Sequence, residues 1–259
     1  MLSIERQSKI VELAKQNGAV KTDELMKMFN VSSETIRRDM LVLEEQGVIR
    51  RVYGGAVFCG GSVPNKNLDE RREDFKAQKK ELVKYATELI SDGDIIAIDE
   101  GSTALRFADA IAESANHLIV VTHSLDVLEK LSVNEGIDVI LCGGTYLRNE
   151  KALCGELTAD CYKNLHVMKS FIFPSAISLA GGIMATTEEL WRIQKVMMSI
   201  ADEVIVMADG SKFEKNGLYK VCPLNQSYTY VTDSGIADGL VNLYEENGFK
   251  IISSKKARL

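Results

Sequence analysis

The chain is poor in the residues from which metal centres, disulfide frameworks and membrane spans are built. Its 259 residues include three histidines (His117, His123, His166) and five cysteines (Cys59, Cys142, Cys154, Cys161, Cys222), with no C-x-x-C pair. Such scatter fits reduced thiols and offers no zinc-type ligand spacing, so no metal and no cofactor are expected. No run of about 18 apolar residues occurs, and the charged N-terminus does not resemble a signal peptide. A cytoplasmic protein is expected. Excess basic charge is also missing: the formal net charge of −6 argues against a sequence-indifferent coat for nucleic acid.

What is present is ordinary globular material, 46% hydrophobic and 26% charged, long enough for a small domain joined to a medium one. The charge is unevenly spread. Residues 1–58 carry nine Lys and Arg against eight Asp and Glu, a balance of +1, which leaves −7 for the remainder. A chain of this balance needs a local basic surface, and two copies of it, to hold DNA at physiological salt, which implies a homodimer or homotetramer.

The stretch Val31-Ser32-Ser33-Glu34-Thr35-Ile36-Arg37-Arg38-Asp39-Met40 supplies such a surface. Ser32 is placed to cap a helix with its hydroxyl, and Glu34 suits the positive end of the helix dipole. At 100° per residue Ile36, Met40 and Leu43 fall on one side, Glu34 and Arg38 nearly opposite, and Thr35 and Arg37 on the flanks. A guanidinium can pair with guanine edges or clamp a phosphate, although adjacent arginines on a short helix also serve as a merely solvated face.

Two helices are expected before this stretch. The first covers residues 1–18, with Ile4, Ile10, Val11 and Ala14 at helical spacing and Asn17-Gly18 as its stop. The second is capped by Thr22, has Leu25, Met28 and Phe29 on its apolar side, and leaves through a left-handed Asn30. Together with the third they form a helix-turn-helix. After Glu45-Gln46-Gly47, residues 48–57 suggest two short strands with a glycine turn, a wing whose Arg50 and Arg51 either reach phosphates or decorate a surface hairpin.

On these residues the front of the chain resembles the DNA-binding domain of the DeoR family of bacterial transcriptional regulators. The resemblance is carried by Glu5-Arg6, Leu25, Phe29, Val31-Ser32, the run from Thr35 to Asp39, Leu43-Glu44, Gly47, Arg51 and Gly54-Gly55-Ala56. It implies a winged helix-turn-helix bound to double-stranded operator DNA. Ser32, Ser33, Thr35, Arg37 and Arg38 then face the groove, and Arg50, Arg51 and Tyr53 lie in the wing.

Residues 59–69, with Gly60-Gly61-Ser62 and Pro64, are expected as a linker between residues 1–58 and a second domain over 70–259. That domain opens with a helix over 70–90, its inner side formed by Phe75, Leu82, Val83, Ala86 and Leu89. Short apolar runs follow at 95–98, 118–122, 139–142, 170–173, 204–207, 228–231 and 250–252, with helices filling most gaps, including one from Ala104 to about Ala112. The pattern predicts an α/β fold with a mostly parallel sheet covered on both faces, and ligands beyond the carboxyl ends of its strands. Four loops sit there: Gly101-Ser102-Thr103, Thr122-His123-Ser124, Gly143-Gly144-Thr145 and Asp209-Gly210-Ser211-Lys212-Phe213. Each singly reads as an ordinary strand-to-helix turn; together they suggest one pocket, with Gly101-Ser102-Thr103 as a phosphate seat.

Arg71 followed eight residues later by Lys79, Asp92-Gly93-Asp94, Asp99 with Gly101-Ser102-Thr103, Thr122, Gly143-Gly144, Gly155 and Ser211-Lys212-Phe213 resemble the DeoR effector domain, which is similar in fold to ribose-5-phosphate isomerase. The resemblance implies a phosphorylated sugar or polyol as effector. Ser102 and Thr103 then meet the phosphate, and Asp99, Glu188, Lys195 and Lys212 line the rest, with Thr122, Ser124, Gly143 and Gly144 nearby. Glu100, His123 and Phe173-Pro174-Ser175-Ala176 depart from the family pattern. The leading expectation is an effector-controlled repressor of carbohydrate genes. The alternatives are an aldose-ketose isomerase using Glu188 as base and Lys212 as electrophile, and a constitutive architectural protein whose second domain only oligomerises.

Overall fold

The computed structural model describes residues 2–45, 48–58 and 66–253. The first unit consists of α1 (Ser3–Asn17), β1 (Ala19–Lys21), α2 (Thr22–Phe29), α3 (Ser33–Glu45), β2 (Ile49–Val52) and β3 (Gly55–Phe58). Its strands form a small sheet in the order β1-β3-β2. Ile10, Ala14, Leu25, Ile36, Met40 and Leu43 close a core with Ile49, Ala56 and Phe58. Gly18, at φ 76°, ends α1, and Asn30, at φ 51°, gives α2 its left-handed exit.

Three expectations change here. Thr22 is the first residue of α2 rather than its cap. Residues 19–21 are strand, so the Thr22 backbone N–H donates to the Gly54 carbonyl across the wing turn at 2.8 Å. Ile4 and Met28 face solvent, at 78% and 58% exposure, because α1 and α2 are covered along narrower stripes than their apolar spacing suggests. At Gly55 the strands touch so closely that a Cβ would lie 2.0 Å from the Val20 carbonyl oxygen, which is why the pairing of β1 with β3 needs glycine there. Gln46 and Gly47 of the expected turn, and Met1 of the expected first helix, fall outside the described residues.

Of the expected linker, residues 59–65 lie outside the described residues. Its end is already helical: Asn67 caps α4 (Leu68–Glu73), accepting from Glu70 N at 2.9 Å while Glu70 accepts from Asn67 N at 3.0 Å. The single helix expected over 70–90 is broken. Asp74 is extended, Phe75 is left-handed at φ 52°, and α5 runs only from Lys76 to Thr87. The reason lies in Lys79, whose buried ammonium donates to the carbonyls of Arg71 (2.5 Å) and Asp74 (2.6 Å) and so satisfies the backbone at the break. Phe75, expected inside, is 46% exposed.

Then follow β4 (Ile95–Ile98), α6 (Ser102–Ser114), β5 (Leu118–Thr122), α7 (Leu125–Leu131), β6 (Ile137–Leu141), the hairpin of β7 (Thr145–Leu147) and β8 (Ala152–Cys154), and α8 (Glu156–Lys163). The remainder is β9 (Val167–Ile172), β10 (Ala176–Ser178), β11 (Gly182–Ala185), α9 (Glu188–Ser199), β12 (Ala201–Met207), β13 (Tyr219–Cys222), β14 (Thr229–Val231), α10 (Asp238–Glu246) and β15 (Lys250–Ile252). Seven strands make one wholly parallel sheet in the order β15-β14-β12-β9-β4-β5-β6. Leu82, Phe107, Ile111 and Phe171 pack in one apolar layer of this domain, and Tyr162, Ile193, Met197, Tyr230 and Tyr244 in another, as a sheet buried on both faces requires. β10, β11 and β13 form a second, antiparallel sheet that no strong periodicity had announced.

Strand order positions the site. From β4 the chain adds β5 and β6 outward on one side, then crosses back so that β9, β12, β14 and β15 extend the other. The crevice between β4 and β9 is therefore the switch point, where an α/β sheet opens beyond its carboxyl ends.

Candidate functional site

The candidate residues fall on two surfaces, one on the first unit and one on the second domain where the first unit meets it. On the first, the Ser32 hydroxyl accepts from Thr35 N at 3.3 Å and lies 3.0 Å from the Thr35 hydroxyl, so the start of α3 is capped. Ser33, Glu34, Arg37 and Arg38 are exposed, Thr35 is half-buried, and Ile36, Met40 and Leu43 are buried beneath them. Arg38 Nε lies 3.7 Å from Glu34 across open surface, a weak restraint that another anion readily replaces. The rotation of α3 is set by a residue that the pattern did not single out. Asp39 is buried and accepts from Arg6 Nε (2.5 Å), the Ser3 hydroxyl (2.8 Å) and Gln7 (3.1 Å) of α1. Burial alone would raise the Asp39 pKa, but these hydrogen bonds outweigh it and hold the group below the ordinary aspartate value. Its signal was present in sequence only as an acid among the apolar positions of the helix.

The wing residues divide. Tyr53 stands at the tip with 93% of its surface exposed. Arg51 is drawn to α3, its backbone N and its Nε meeting Glu44 at 2.7 and 2.6 Å. Arg50 turns away from the others toward the second domain, with its guanidinium 3.5 Å from buried Glu214. Glu214 also accepts from the Tyr244 hydroxyl (2.8 Å) and Leu179 N (3.0 Å). Val57 of β3 packs into the core of that domain, so the wing is docked there.

The second surface is a cavity of about 330 Å³ at the switch point. Gly101, Ser102 and Thr103 after β4, Phe173 and Pro174 after β9, and Asp209, Ser211 and Lys212 after β12 supply three of its walls. Arg71, Asp74, Phe75 and Lys79 from the broken helix pair supply a fourth, and Lys15 and Phe58 of the first unit close it. Gly101, at φ 131°, lets the chain turn directly from β4 into α6, so the helix N-terminus faces the cavity with the Ser102 and Thr103 hydroxyls.

Of the sequence candidates, the cavity gathers Gly101, Ser102, Thr103 and Lys212. The others lie elsewhere. Thr122 donates to the Ile98 carbonyl at 2.8 Å and accepts from Ser124 N, while Ser124 caps α7. The Gly143 carbonyl accepts from Thr158 at 2.8 Å, and Gly143 and Gly144 are open to solvent beyond β6. Glu188 is exposed and pairs with Arg192 at 2.6 Å; Lys195 lies over the Trp191 ring, 5.1 Å from its centroid. Asp99 sits buried behind the wall, accepting from Phe173 N (3.1 Å) and Gln194 (2.9 Å), with its other oxygen 3.7 Å from His123 Nε2. Two contributors overlooked as ligand candidates, Arg71 and Lys79, were visible as an eight-residue spacing.

The cavity's electrostatics favour an anion. Burial pushes the Lys79 ammonium down to about 8, with Lys212 opposing its charge further, and burial likewise lowers Lys212 beside Arg71. Asp209 tempers both, while its carboxylate is occupied by Ser211 N and the Ser211 hydroxyl. Arg71 is steered from below by Glu150, which it contacts directly, and by Glu100 at 3.7 Å. Burial first, then Glu150, raises the Glu100 pKa well above the usual carboxylate range, and burial raises Glu150 as well. Crowded ammonium groups in a partly dehydrated wall are stabilised by whatever dianion enters between them.

Residues 6–61 match the family described as the DeoR-like helix-turn-helix domain, and residues 74–234 the DeoR C terminal sensor domain. The chain is 31% identical over 232 residues to the transcriptional repressor AccR of Agrobacterium fabrum, covering 89% of this chain and 90% of that protein. It is 30% identical over 234 residues to the glycerol-3-phosphate regulon repressor of Escherichia coli K12, covering 90% and 92%. Among solved structures it is similar to ribose 5 phosphate isomerase A from Neisseria gonorrhoeae, with a TM-score of 0.40 and 18% identity, and spans about half of that enzyme, 52% of each chain being covered.

Proposed function

Because this chain belongs to the DeoR family of transcriptional regulators, we propose that it is a repressor of carbohydrate genes that grips operator DNA with α3 and the wing and lets go when a phosphorylated sugar fills the cavity. The carrying observation is that cations from separate elements converge with the start of α6 on one cavity, and that this cavity has the DNA-binding unit as one of its walls. Ser33, Thr35, Arg37 and Arg38 enter the major groove; Tyr53 and Arg51 follow the backbone beside it. Arg50 serves the domain contact. Ser102 and Thr103 hold the phosphate with Arg71, Lys79 and Lys212.

A homodimer, or a tetramer built from it, reads two half-sites about 34–36 Å apart, so a small rotation of either winged unit spoils simultaneous docking. A ligand that favours the rotated arrangement is then an inducer, to the extent of its differential affinity for the two arrangements. The isomerase reading is not favoured, since the Glu188 carboxylate that would move the proton pairs with Arg192 on the surface and does not line the cavity. Among the described residues no helix is long and apolar enough to cross a membrane; we place the protein in the cytoplasm with its DNA.

The test is a thermal-shift panel of free and phosphorylated sugars followed by a mobility-shift titration on operator DNA. A compound present at 100 times its Kd stabilises the folded protein by about 2.7 kcal/mol. The expected hits carry phosphate, release DNA, and lose their effect in Lys212→Ala while DNA affinity stays. A flat response to every phosphorylated sugar removes the reading.

A further inference from the structure

The cations of the cavity fall into two groups. Lys79 feels the charge of Lys212, Lys212 feels that of Arg71, and Asp209 and Asp74 temper both lysines. Lys215 responds to none of these; the charge that bears on it is that of Lys15. Lys15 belongs to the last turn of α1 in the DNA-binding unit, and Lys215 follows β12 in the sensor domain, so this second group straddles the domain boundary. Lys215 lies over the Phe58 ring, 5.2 Å from its centroid, and Phe58 is the last residue of the wing strand. Neither lysine has an acidic partner among the described residues, whereas Lys66 at the same cavity is answered by Asp74 at 2.7 Å. Two like charges lining one cavity from the two domains weaken the contact between them until an anion enters.

We infer that the cavity takes a sugar phosphate bearing a second anionic group, and that Lys15 and Lys215, one from each domain, receive that second group, so that the ligand itself fastens the DNA-binding unit to the sensor domain. This rests on the sugar-phosphate reading above and adds the ligand's second charge and the domain clamp. The first phosphate sits at the start of α6 with Arg71, Lys79 and Lys212. The second phosphate or carboxylate reaches the far group, where the Phe58 ring supports the Lys215 stem. Occupancy is then transmitted directly: the ligand contacts α1, and α1 is locked to α3 through Arg6 and Asp39.

The experiment is calorimetric titration of the full-length chain with fructose 1,6-bisphosphate and with fructose 6-phosphate, in wild type, Lys15→Ala, Lys215→Ala, Lys15→Arg and Lys9→Ala. Lys9 is an exposed lysine of the same helix that pairs with Glu12 and does not line the cavity, so it controls for net charge. The bisphosphate is expected to bind roughly ten-fold tighter than the monophosphate to wild type and Lys9→Ala. The ratio should collapse toward one in both alanine variants at the cavity and return in Lys15→Arg. A bisphosphate no tighter than the monophosphate in wild type, or an advantage that survives Lys15→Ala, overturns the clamp while leaving the phosphate seat in place. Binding of neither compound to wild type overturns the clamp for this ligand class, and the sugar-phosphate reading falls with it only if the whole phosphorylated-sugar panel is also silent.

Discussion

Replacing Asp39 by alanine probes the joint on which the DNA-facing helix turns. The Arg6 and Asp39 side chains are only 9% and 3% exposed, and Asp39 accepts from three side chains of α1. Removing the carboxylate leaves a guanidinium shielded from water opposite an apolar methyl group, which costs about 3–5 kcal/mol for a buried pair. A unit of this size has a total stability of roughly 3–9 kcal/mol, so the loss is comparable to the whole. Asp39→Ala is therefore expected to unfold the winged unit, or bring it to the edge, at 25 °C while the seven-stranded sheet persists. Asp39→Asn keeps the shape and an acceptor and should cost about 1–3 kcal/mol.

Hydrogen exchange separates the two units. Amides of α1 and α3 should lose protection in Asp39→Ala, those of β4, β9 and β12 should keep it, and operator binding should disappear with the first group. Acid offers the same test without mutation. The folded pKa of Asp39 is depressed, so its contribution is complete above the unfolded value of about 3.9 and drains away as pH falls through the folded value. The front unit should consequently lose protection below about pH 4, and Asp39→Asn should flatten that loss. Protection of α1 and α3 within about 1 kcal/mol of wild type in Asp39→Ala would refute the argument, showing that apolar packing alone sets the helix.

Arg38→Ala should weaken operator binding by about 1–3 kcal/mol and relax preference at one base pair, as a mobility-shift series with single base changes will show; unchanged affinity and preference would mark Arg38 as surface charge. Asp99 titrates oppositely to Asp39. Burial, against the hydrogen bonds from Phe173 N, the Glu100 backbone and Gln194, pushes it up to about 6. Stability from this group is therefore full at acid pH and falls as pH rises from about 4 to about 6. Asp99→Asn should remove that part of the slope and stabilise the sensor domain above pH 6 by on the order of 3 kcal/mol in urea unfolding; an unaltered slope would reassign it to Glu100 and Glu150.

Much of the front unit was legible because its signals are local. The Ser32 cap, the left-handed Asn30, the stop at Gly18 and the glycine turn of the wing depend on residues within a few positions of one another. Short apolar runs separated by helices were likewise enough to announce a parallel sheet. Periodicity failed at Phe75, since the helix break there is held by an ammonium that hooks two carbonyls, an event no hydrophobic pattern records. Nor does any local pattern record that Arg50, which does lie in the wing strand β2, stands 3.5 Å from Glu214 of the other domain.

The sensor site marks the boundary most clearly. Sequence alone determined that Gly101-Ser102-Thr103 begins a helix after a strand and that Lys212 follows another strand end, because a strand end and a helix start are written in neighbouring residues. Which loops meet was decided by strand order: β4 lies beside β9 and β12 lies next, so their loops share one crevice, while those after β5 and β6, at the same edge of the sheet but on the other flank of β4, do not line it. That order is settled by packing between residues some seventy positions apart. The same long-range packing brought Lys15 and Phe58 of one domain to the cavity wall of the other, and no short stretch of either contains that information.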